Sequence, residues 1–415
     1  MAWPHALRAL RHRNLRLFFG GQMVSLSGSW MQSVAQGWLV YRLTGSPQVL
    51  GLVGFLSQVP VFLFGIWAGS LADRLPRRAM VVGTQVNALL QASALAALTL
   101  SGAVRPWHLF PLSFMLGLTY AFEIPARQAL LGEIAGADMP NALALNSTVV
   151  NGARMVGPAI AGWLVAAVGE GWCFALNAVS FLGTIAALVA MRLPPRAPAA
   201  PGAESGHLVA GLGYAWRTPP VRALLLLLAV TSFFAMPYTT LLPVLAKDAL
   251  GGDARLLGLL MASAGLGALA AGLVLMVRRG LAGLGRGVAL GATLLGTGLA
   301  GAALSRHVLL SCAALAVAGF GYLSQAAGTM TLLQSTAPPA LRGRVMGLFS
   351  TLFIGVAPFG ALALGFAAQR VGVRAALLGG GLAAVLASGL FHRALPRLAA
   401  AARAGEALPP EGALR

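Results

Sequence analysis

The sequence predicts an all-α polytopic membrane protein, with twelve transmembrane helices in two parallel six-helix pseudo-repeats around a central cavity. Three observations support this prediction: the composition, the spacing of the apolar segments, and a likeness between the two halves. Of 415 residues, 58% are hydrophobic and only 9% are charged, whereas soluble proteins are about a quarter charged. This apolar share is enough for about a dozen membrane helices of roughly 20 residues. The composition therefore excludes a soluble enzyme, a disordered basic tail and a collagen-like chain.

Charges, prolines and turn residues divide the chain into twelve apolar segments. Spans 1 to 6 are predicted at about 15–42, 48–71, 79–101, 108–131, 142–168 and 173–191, and spans 7 to 12 at about 220–249, 255–277, 287–304, 309–333, 345–369 and 375–394. The intervening stretch is rich in proline, which favours an extended surface connection. The predicted domains are a six-helix bundle (1–192), a cytoplasmic linker (193–219), a second six-helix bundle (220–395) and a cytoplasmic tail (396–415).

The distribution of basic residues predicts the orientation in the membrane. With the N-terminus inside, twenty of the 29 Lys and Arg residues fall on the cytoplasmic side and seven outside, while Arg127 and Arg154 lie within spans. Basic loops stay in the cytoplasm, so both termini are predicted to be cytoplasmic. The net charge of +19 is therefore attributed to membrane topology, and no nucleic-acid partner is expected.

The two halves of the chain resemble each other. Gly117-Leu-Thr-Tyr120 matches Gly319-Phe-Gly-Tyr322, and Leu50-Gly51-Leu52 matches Leu257-Gly258-Leu259. Halves with an even number of spans are parallel repeats, and transporters built in this way bind substrate between the repeats near the bilayer midplane. The repeat therefore favours a transporter.

The loop after span 2 contains the most specific motif, Gly69-Ser-Leu-Ala-Asp73-Arg74-Leu-Pro-Arg77-Arg78. It resembles the signature loop of the major facilitator superfamily, Gly-x-Leu-x-Asp-Arg followed by Gly or Pro and two basic residues. Gly69 permits a close helix approach. The resemblance implies the major facilitator fold and a gating role for Gly69, Asp73, Arg74, Arg77 and Arg78. Asp73 would then hold the halves together in the outward-open state and release them in the inward-open state.

Further residues resemble the enterobactin-exporter-like branch of that superfamily, among them Pro125-Ala-Arg127-Gln128, Asn141, Asn146, Asn151 and Arg154. On span 5, Gly157, Pro158 and Gly162 resemble the helix-kink motif of proton antiporters, although its first glycines are missing here. The resemblance implies export coupled to protons. A proline-kinked helix packed by small residues is the alternative interpretation, whatever the direction of transport.

Three charged residues lie within spans 4 and 5, where a charge must face the bundle interior or a wet cavity. Glu123 and Arg127 are four residues apart with the acid first, the favourable order in a helix. Arg154 lies about 18 Å into span 5, at a depth where it can pair with Glu123. Glu123 is predicted to be the proton-responsive carboxylate, with Arg127 or Arg154 released when it is neutralised. A fixed structural ion pair is the alternative.

Span 1 contains a polar stripe within an arc of about 80°, formed by Gln22, Ser25, Ser29, Gln32 and Gln36. So narrow a stripe is predicted to line the substrate cavity, with interhelical hydrogen bonding as the alternative. Gln58 and Tyr238 are further cavity candidates. Glutamines, hydroxyl groups and aromatic rings suit an amphipathic or aromatic organic solute better than a sugar or a dicarboxylate.

The sequence predicts a secondary active transporter and not an enzyme. It contains no nucleotide-binding loop, zinc-ligand spacing or catalytic constellation, so no cofactor or metal is expected. The predicted function is export of a small drug-like or siderophore-like molecule across the cytoplasmic membrane by alternating access with proton antiport. Import or lipid flipping by the same fold are the alternatives within transport, and an intramembrane enzyme or a membrane-embedded receptor are those outside it. A monomer in the lipid bilayer is expected.

Overall fold

The computed structural model describes residues 5–193, 208–278, 280 and 283–406, and within these ranges the chain is helical almost throughout, with no strand. Eleven helices in the described part are long and apolar enough to cross a membrane. The first long helix, Arg13–Thr44, has 32 residues but is not one of these eleven, because its polar stripe lowers its mean hydropathy. This helix and the eleven others form the twelve predicted spans, and the predicted fold class is confirmed.

The first half consists of spans 1 to 6, preceded by a 3₁₀ helix, His5–Arg11. The spans are Arg13–Thr44, Pro47–Arg74, Arg77–Leu100, Pro106–Ala135, Met139–Val168 and Glu170–Ala190. Local sequence sets their ends. Span 1 stops at Gly45, which has a φ of 59° that glycine adopts without strain. The Ser46 side chain then accepts a hydrogen bond from the backbone N–H of Val49, which caps span 2.

The second half consists of spans 7 to 12. They are Pro219–Ala249, Ala254–Val277, Leu284–Leu304, Val308–Thr336, Leu341–Val371 and Val373–Pro396. Span 7 is irregular: its α-helix ends at Phe234, and a 3₁₀ segment, Met236–Leu241, and a π turn, Leu245–Ala249, follow. Pro237 and Pro243 lie in this stretch, and each removes a backbone donor from the helix.

The connection between the halves differs from the prediction of an extended linker. Residues 194–207 lie outside the described part of the chain, but Leu208–Arg217 forms a helix. This linker helix packs against Pro339–Ser350, and the Tyr214 hydroxyl donates to the carbonyl oxygen of Thr336 at 3.4 Å. The apolar and aromatic residues of this stretch, without an internal proline, explain why it is helical. The prediction was wrong for this third of the linker.

The halves contact each other where span 2 crosses span 11 and where span 5 crosses span 8. At each crossing two glycines bring the backbones together: Gly51 faces Gly365, and Gly162 faces Gly258. A Cβ atom on Gly51 would lie 2.8 Å from a carbonyl oxygen of span 11, and one on Gly258 would lie 2.6 Å from a carbonyl oxygen of span 5. Small residues allow membrane helices to approach this closely.

Two hydrogen bonds between the halves lie at the same end of the bundle, which we call the closed end. It contains the loops between spans 1 and 2, 7 and 8, and 11 and 12. The Tyr41 hydroxyl donates to the carboxylate of Asp248, and the Lys247 Nζ lies 5.4 Å from the centroid of the Tyr41 ring. The Ser46 hydroxyl donates to Gln369 Oε1 at 2.9 Å.

Toward the opposite end, which we call the open end, the same helices are no longer packed through their glycines. A Cβ atom on Gly69 of span 2, on Gly152 of span 5 or on Gly347 of span 11 would meet no heavy atom within 4 Å. The described part of the structure therefore has two six-helix halves that contact each other at the closed end and separate toward the open end.

The N-terminal 3₁₀ helix is attached to the turn between spans 4 and 5 at the open end. Asp138 accepts from His12 at 2.9 Å and forms ion pairs with Arg11 at 3.2 Å and Arg8 at 3.4 Å. The backbone N–H of Ala9 donates to Asn141 Oδ1 at 2.8 Å. The His12 hydrogen bond lowers the pKa of Asp138 below its ordinary range, and the two arginines lower it further, against the opposing effect of burial.

Asp138→Asn is expected to release the N-terminal segment, because the asparagine cannot hold three basic side chains. Trypsin should then cleave after Arg8 and Arg11 several times faster than in the wild type, as followed by mass spectrometry. Since the pKa of Asp138 is lowered by folding, its stabilisation is present above the ordinary carboxyl pKa and is lost as the pH falls through the lowered value. The Tm difference between the two proteins should therefore begin to shrink as the pH falls below about 4 and continue to shrink as the pH approaches the lowered pKa. Equal cleavage rates would contradict this attachment.

Candidate functional site

A cavity that is partly open to solvent, with about 340 Å³ of empty space including its mouth, lies between the halves near the middle of the bundle. Span 5 contributes Arg154 and span 1 contributes Trp30, while Tyr238 of span 7 and Tyr322 of span 10 come from the other half. The guanidinium carbon of Arg154 lies 5.0 Å from the Trp30 ring centroid and 5.1 Å from that of Tyr322. Both distances fall within the range of a cation–π interaction. A cation is thus held between aromatic rings of the two halves.

Glycines place Arg154 in this central cavity. A Cβ atom on Gly157 would lie 2.7 Å from the Cβ of Trp30, and one on Gly265 would lie 2.9 Å from the carbonyl oxygen of Arg154. Span 5 is therefore packed closely against span 1 on one side and span 8 on the other. Pro158 also lines the cavity, within a helix that continues from Met139 to Val168.

Glu123 lies in a second cavity inside the first half, between spans 1, 3, 4 and 6, which is also partly open to solvent and has about 350 Å³ of empty space including its mouth. It is 8% exposed, and its Oε1 lies 3.4 Å from Arg127 Nη1. The ion pair within span 4 is therefore present. The expected Glu123–Arg154 pair is not: Arg154 lies in the other cavity, because span 5 directs it toward the second half.

The polar stripe of span 1 does not line the central cavity, although Gln22 and Ser25 line the second cavity beside Glu123. Its side chains make hydrogen bonds inside the first half: Gln22 to Asn146, Ser25 to Gln85, Gln32 to Gln91 and Asn177, Gln36 to Ser113, and Ser29 to Tyr120. All five side chains of the stripe therefore form hydrogen bonds to other helices, which was the alternative interpretation. Gln58 is half-buried and lines neither cavity. Of the seven cavity candidates, Tyr238 lines the central cavity.

The signature loop lies at the open end. Arg77 Nη1 donates to the carbonyl oxygen of Ala129 at 3.2 Å and lies 3.3 Å from Glu133 Oε2. Arg78 donates to the carbonyl oxygen of Met191 at 2.9 Å. Both arginines therefore bind the first half, whereas Arg74 is exposed. The side chain of Asp73 lies outside what the structure describes.

Sequence reasoning did not select Tyr322 as a site residue, although it marked the repeat that contains it. Tyr120 and Tyr322 hold matching positions in the two halves, but Tyr120 is hydrogen-bonded to Ser29 and Tyr322 packs on Arg154. The sequence repeat thus indicated that Tyr120 and Tyr322 occupy equivalent positions in the two halves. The two tyrosines nevertheless make different contacts.

Residues 5–412 match the model of the transmembrane secretion effector family. The chain belongs to this family of the major facilitator superfamily. The staphyloferrin A transporter of Staphylococcus aureus is 26% identical to it, over 86% of this chain and 90% of that one. The multidrug efflux pump Tap of Mycolicibacterium fortuitum is 27% identical over 92% and 96%, and the enterobactin exporter EntS of Escherichia coli is 28% identical over 88% of each.

Solved structures support the same fold. The nucleoside transporter NupG superposes with a TM-score of 0.72 at 13% identity, over 92% of this chain and 99% of that one. A bacterial homologue of the iron transporter ferroportin in its inward-facing state gives 0.69 at 18% identity, over 92% and 98%. At this identity the likeness concerns the fold alone. Together with the family, it makes this chain a multi-pass membrane transporter and not an enzyme.

Proposed function

We propose that this transporter exports a small amphipathic or aromatic organic molecule, drug-like or siderophore-like, from the cytoplasm by alternating access with proton antiport. The observation that supports this most directly is a central cavity between two halves that contact each other from the closed end to the middle of the bundle and separate toward the open end. The excess of basic residues at the open end favours a cytoplasmic position for that end and for both termini. The described conformation is then the inward-open one.

The signature loop supplies the contact for the opposite state. Gly69 faces open space, so span 11 can pack against it when the open end closes and the glycine crossings separate. Asp73, with Arg74, Arg77 and Arg78 nearby, then binds the second half and holds the outward-open state. Gly157, Pro158 and Gly162 lie on the span that carries both Arg154 and one of the crossings, which links the substrate cavity to the closed end.

Glu123 is the carboxylate through which protons act. Its charge is buried and is matched by Arg127, and removing one partner of a buried ion pair leaves the other charge uncompensated at a large cost. Protonation of Glu123 therefore favours a conformation in which Arg127 reaches other acceptors or water. The alternative is an ion pair that stays charged throughout the cycle.

The relatives support export of organic molecules, since two are named for siderophores and one for multiple drugs. An importer or a lipid flippase of the same fold remains the alternative. The proposed partners are the small-molecule substrate, protons and the lipid bilayer, and the proposed working unit is a monomer.

A proteoliposome assay tests this function. The purified protein is reconstituted, a pH gradient is imposed, and movement of dyes, antibiotics and catechol compounds is followed against protein-free vesicles. At least one compound is expected to move against its gradient only while the pH gradient lasts, and to stop when a protonophore is added. If none of the panel moves in response to the gradient, proton-coupled export is refuted.

A further inference from the structure

Arg154 differs from the other buried or half-buried arginines of the first half. Arg127 pairs with Glu123, and Arg77 pairs with Glu133. Among the residues whose side chains the structure describes, no carboxylate forms an ion pair with Arg154 and no acceptor forms a hydrogen bond with its guanidinium. The guanidinium instead packs against the rings of Trp30 and Tyr322. A guanidinium group has five N–H donors, so here they remain available to a ligand.

We propose that Arg154 binds the negatively charged group of the substrate, which is an organic anion whose flat or aromatic part packs among Trp30, Tyr238 and Tyr322. The proposal rests on the transport function proposed above. It adds the sign of the substrate's charge and names the residue that binds the charged group.

The surroundings of Arg154 favour an anion over a cation. An unpaired charge deep in a membrane protein is costly and marks a substrate or ion pathway. The two rings compensate only part of this cost, because cation–π attraction is weaker than a charge-assisted hydrogen bond. A carboxylate or sulfonate can accept two parallel N–H bonds from the guanidinium group. A cationic drug in the same cavity would instead be repelled by Arg154.

Glu123, the only described acid deep inside the first half, does not change the positive charge of the central cavity. Glu123 lines the other cavity and its charge is matched by Arg127. Asp248 lies at the closed end in contact with Tyr41. The central cavity therefore has a net positive character from Arg154, and aromatic rings from both halves around it. This combination selects a flat organic anion.

Two xanthene dyes of similar shape and opposite charge provide the test. Fluorescein is anionic and rhodamine 123 is cationic at pH 7.5, and fluorescence anisotropy with the purified full-length protein in detergent gives the Kd of each. The wild type is expected to bind fluorescein at least tenfold more tightly than rhodamine 123. Arg154→Gln should weaken fluorescein binding tenfold to a hundredfold and leave rhodamine 123 binding unchanged or tighter. Arg154→Lys keeps the charge but not the planar pair of donors, so its affinity for fluorescein should lie between those of the wild type and Arg154→Gln.

The control removes an arginine elsewhere. Arg306 is exposed in the loop between spans 9 and 10, and Arg306→Gln should bind fluorescein as the wild type does. Size-exclusion profiles confirm that each variant is folded. Equal fluorescein affinity in the wild type and Arg154→Gln would overturn the proposal, as would no fluorescein binding by the wild type or equal affinity for the two dyes.

Binding needs neither a pH gradient nor transport, so this proposal and the proposed function can fail separately. If fluorescein binding depends on Arg154 but no compound moves in response to a pH gradient, proton coupling is refuted and the anion site stands. If transport responds to the gradient but fluorescein binding ignores Arg154, the anion site is refuted and the transport function stands.

Discussion

Glu123→Gln is expected to abolish transport driven by a pH gradient, reducing the initial rate in proteoliposomes to that of protein-free vesicles. Glutamine has nearly the same shape as glutamic acid but cannot release a proton, so the pair with Arg127 can no longer be switched between charged and neutral forms. Exchange driven only by a substrate gradient should persist, because it needs no proton. The two rates are measured on the same vesicles with and without the imposed gradient.

Glu170 offers a matched control for this experiment. It is a buried carboxylate in the same half, 7% exposed, and its Oε1 lies 2.7 Å from Arg42 Nε. It lies at the closed end, away from both cavities. Glu170→Gln should lower the Tm and leave the dependence of transport on the pH gradient intact. If Glu123→Gln behaves in the same way, Glu123 is a fixed structural partner and the proposed coupling is wrong.

Gly258→Ala is expected to give the second large effect, loss of transport together with a lower Tm. The new Cβ would lie 2.6 Å from the carbonyl oxygen of Pro158 and 2.7 Å from the Cα of Gly162, closer than atoms can approach. Spans 5 and 8 must therefore separate, and overpacking of this kind costs about 1–3 kcal/mol. The closed end then cannot form its tight crossing. Transport assays and thermal unfolding in detergent measure the two effects.

Gly389 provides the control substitution, since a Cβ atom there would meet nothing within 4 Å. Gly389→Ala places the same methyl group in a span of the same half, and both its Tm and its transport rate should equal or exceed those of the wild type. Equal behaviour of the two alanine variants would show that the span 5–span 8 crossing does not limit the cycle.

Much of the fold could be predicted from the sequence, because in a bilayer hydropathy and charge act on whole segments. The repeat of Gly51 at Gly258 indicated two related halves, and the structure places both glycines at crossings between them. The linker helix was missed, because the prolines around Leu208–Arg217 concealed a short apolar segment.

The site was harder to predict, because the direction in which a polar residue faces depends on packing between spans. The arc from Gln22 to Gln36 defines one face of span 1, but the sequence does not say whether that face borders a cavity or packs against spans 3 to 6. Glu123 and Arg154 lie within spans 4 and 5, as predicted. Their depth suggested a pair, whereas span 5 turns Arg154 toward Trp30 and Tyr322. The depth of a residue in the membrane follows from its distance along the helix, but the direction in which its side chain points does not.

Span 1 also has a consequence for the synthesis of this protein. It leaves the ribosome before spans 3 to 6, yet every hydrogen-bond partner of its stripe lies on one of these later helices: Gln85, Gln91, Ser113, Tyr120, Asn146 and Asn177. Until those helices arrive, its glutamines face either the insertion machinery or hydrocarbon, where an unsatisfied polar group costs several kcal/mol. We therefore expect span 1, the least apolar of the twelve, to stay with the insertion machinery until span 6 has been made. The glutamines that join the helices of the finished half should thereby slow its assembly.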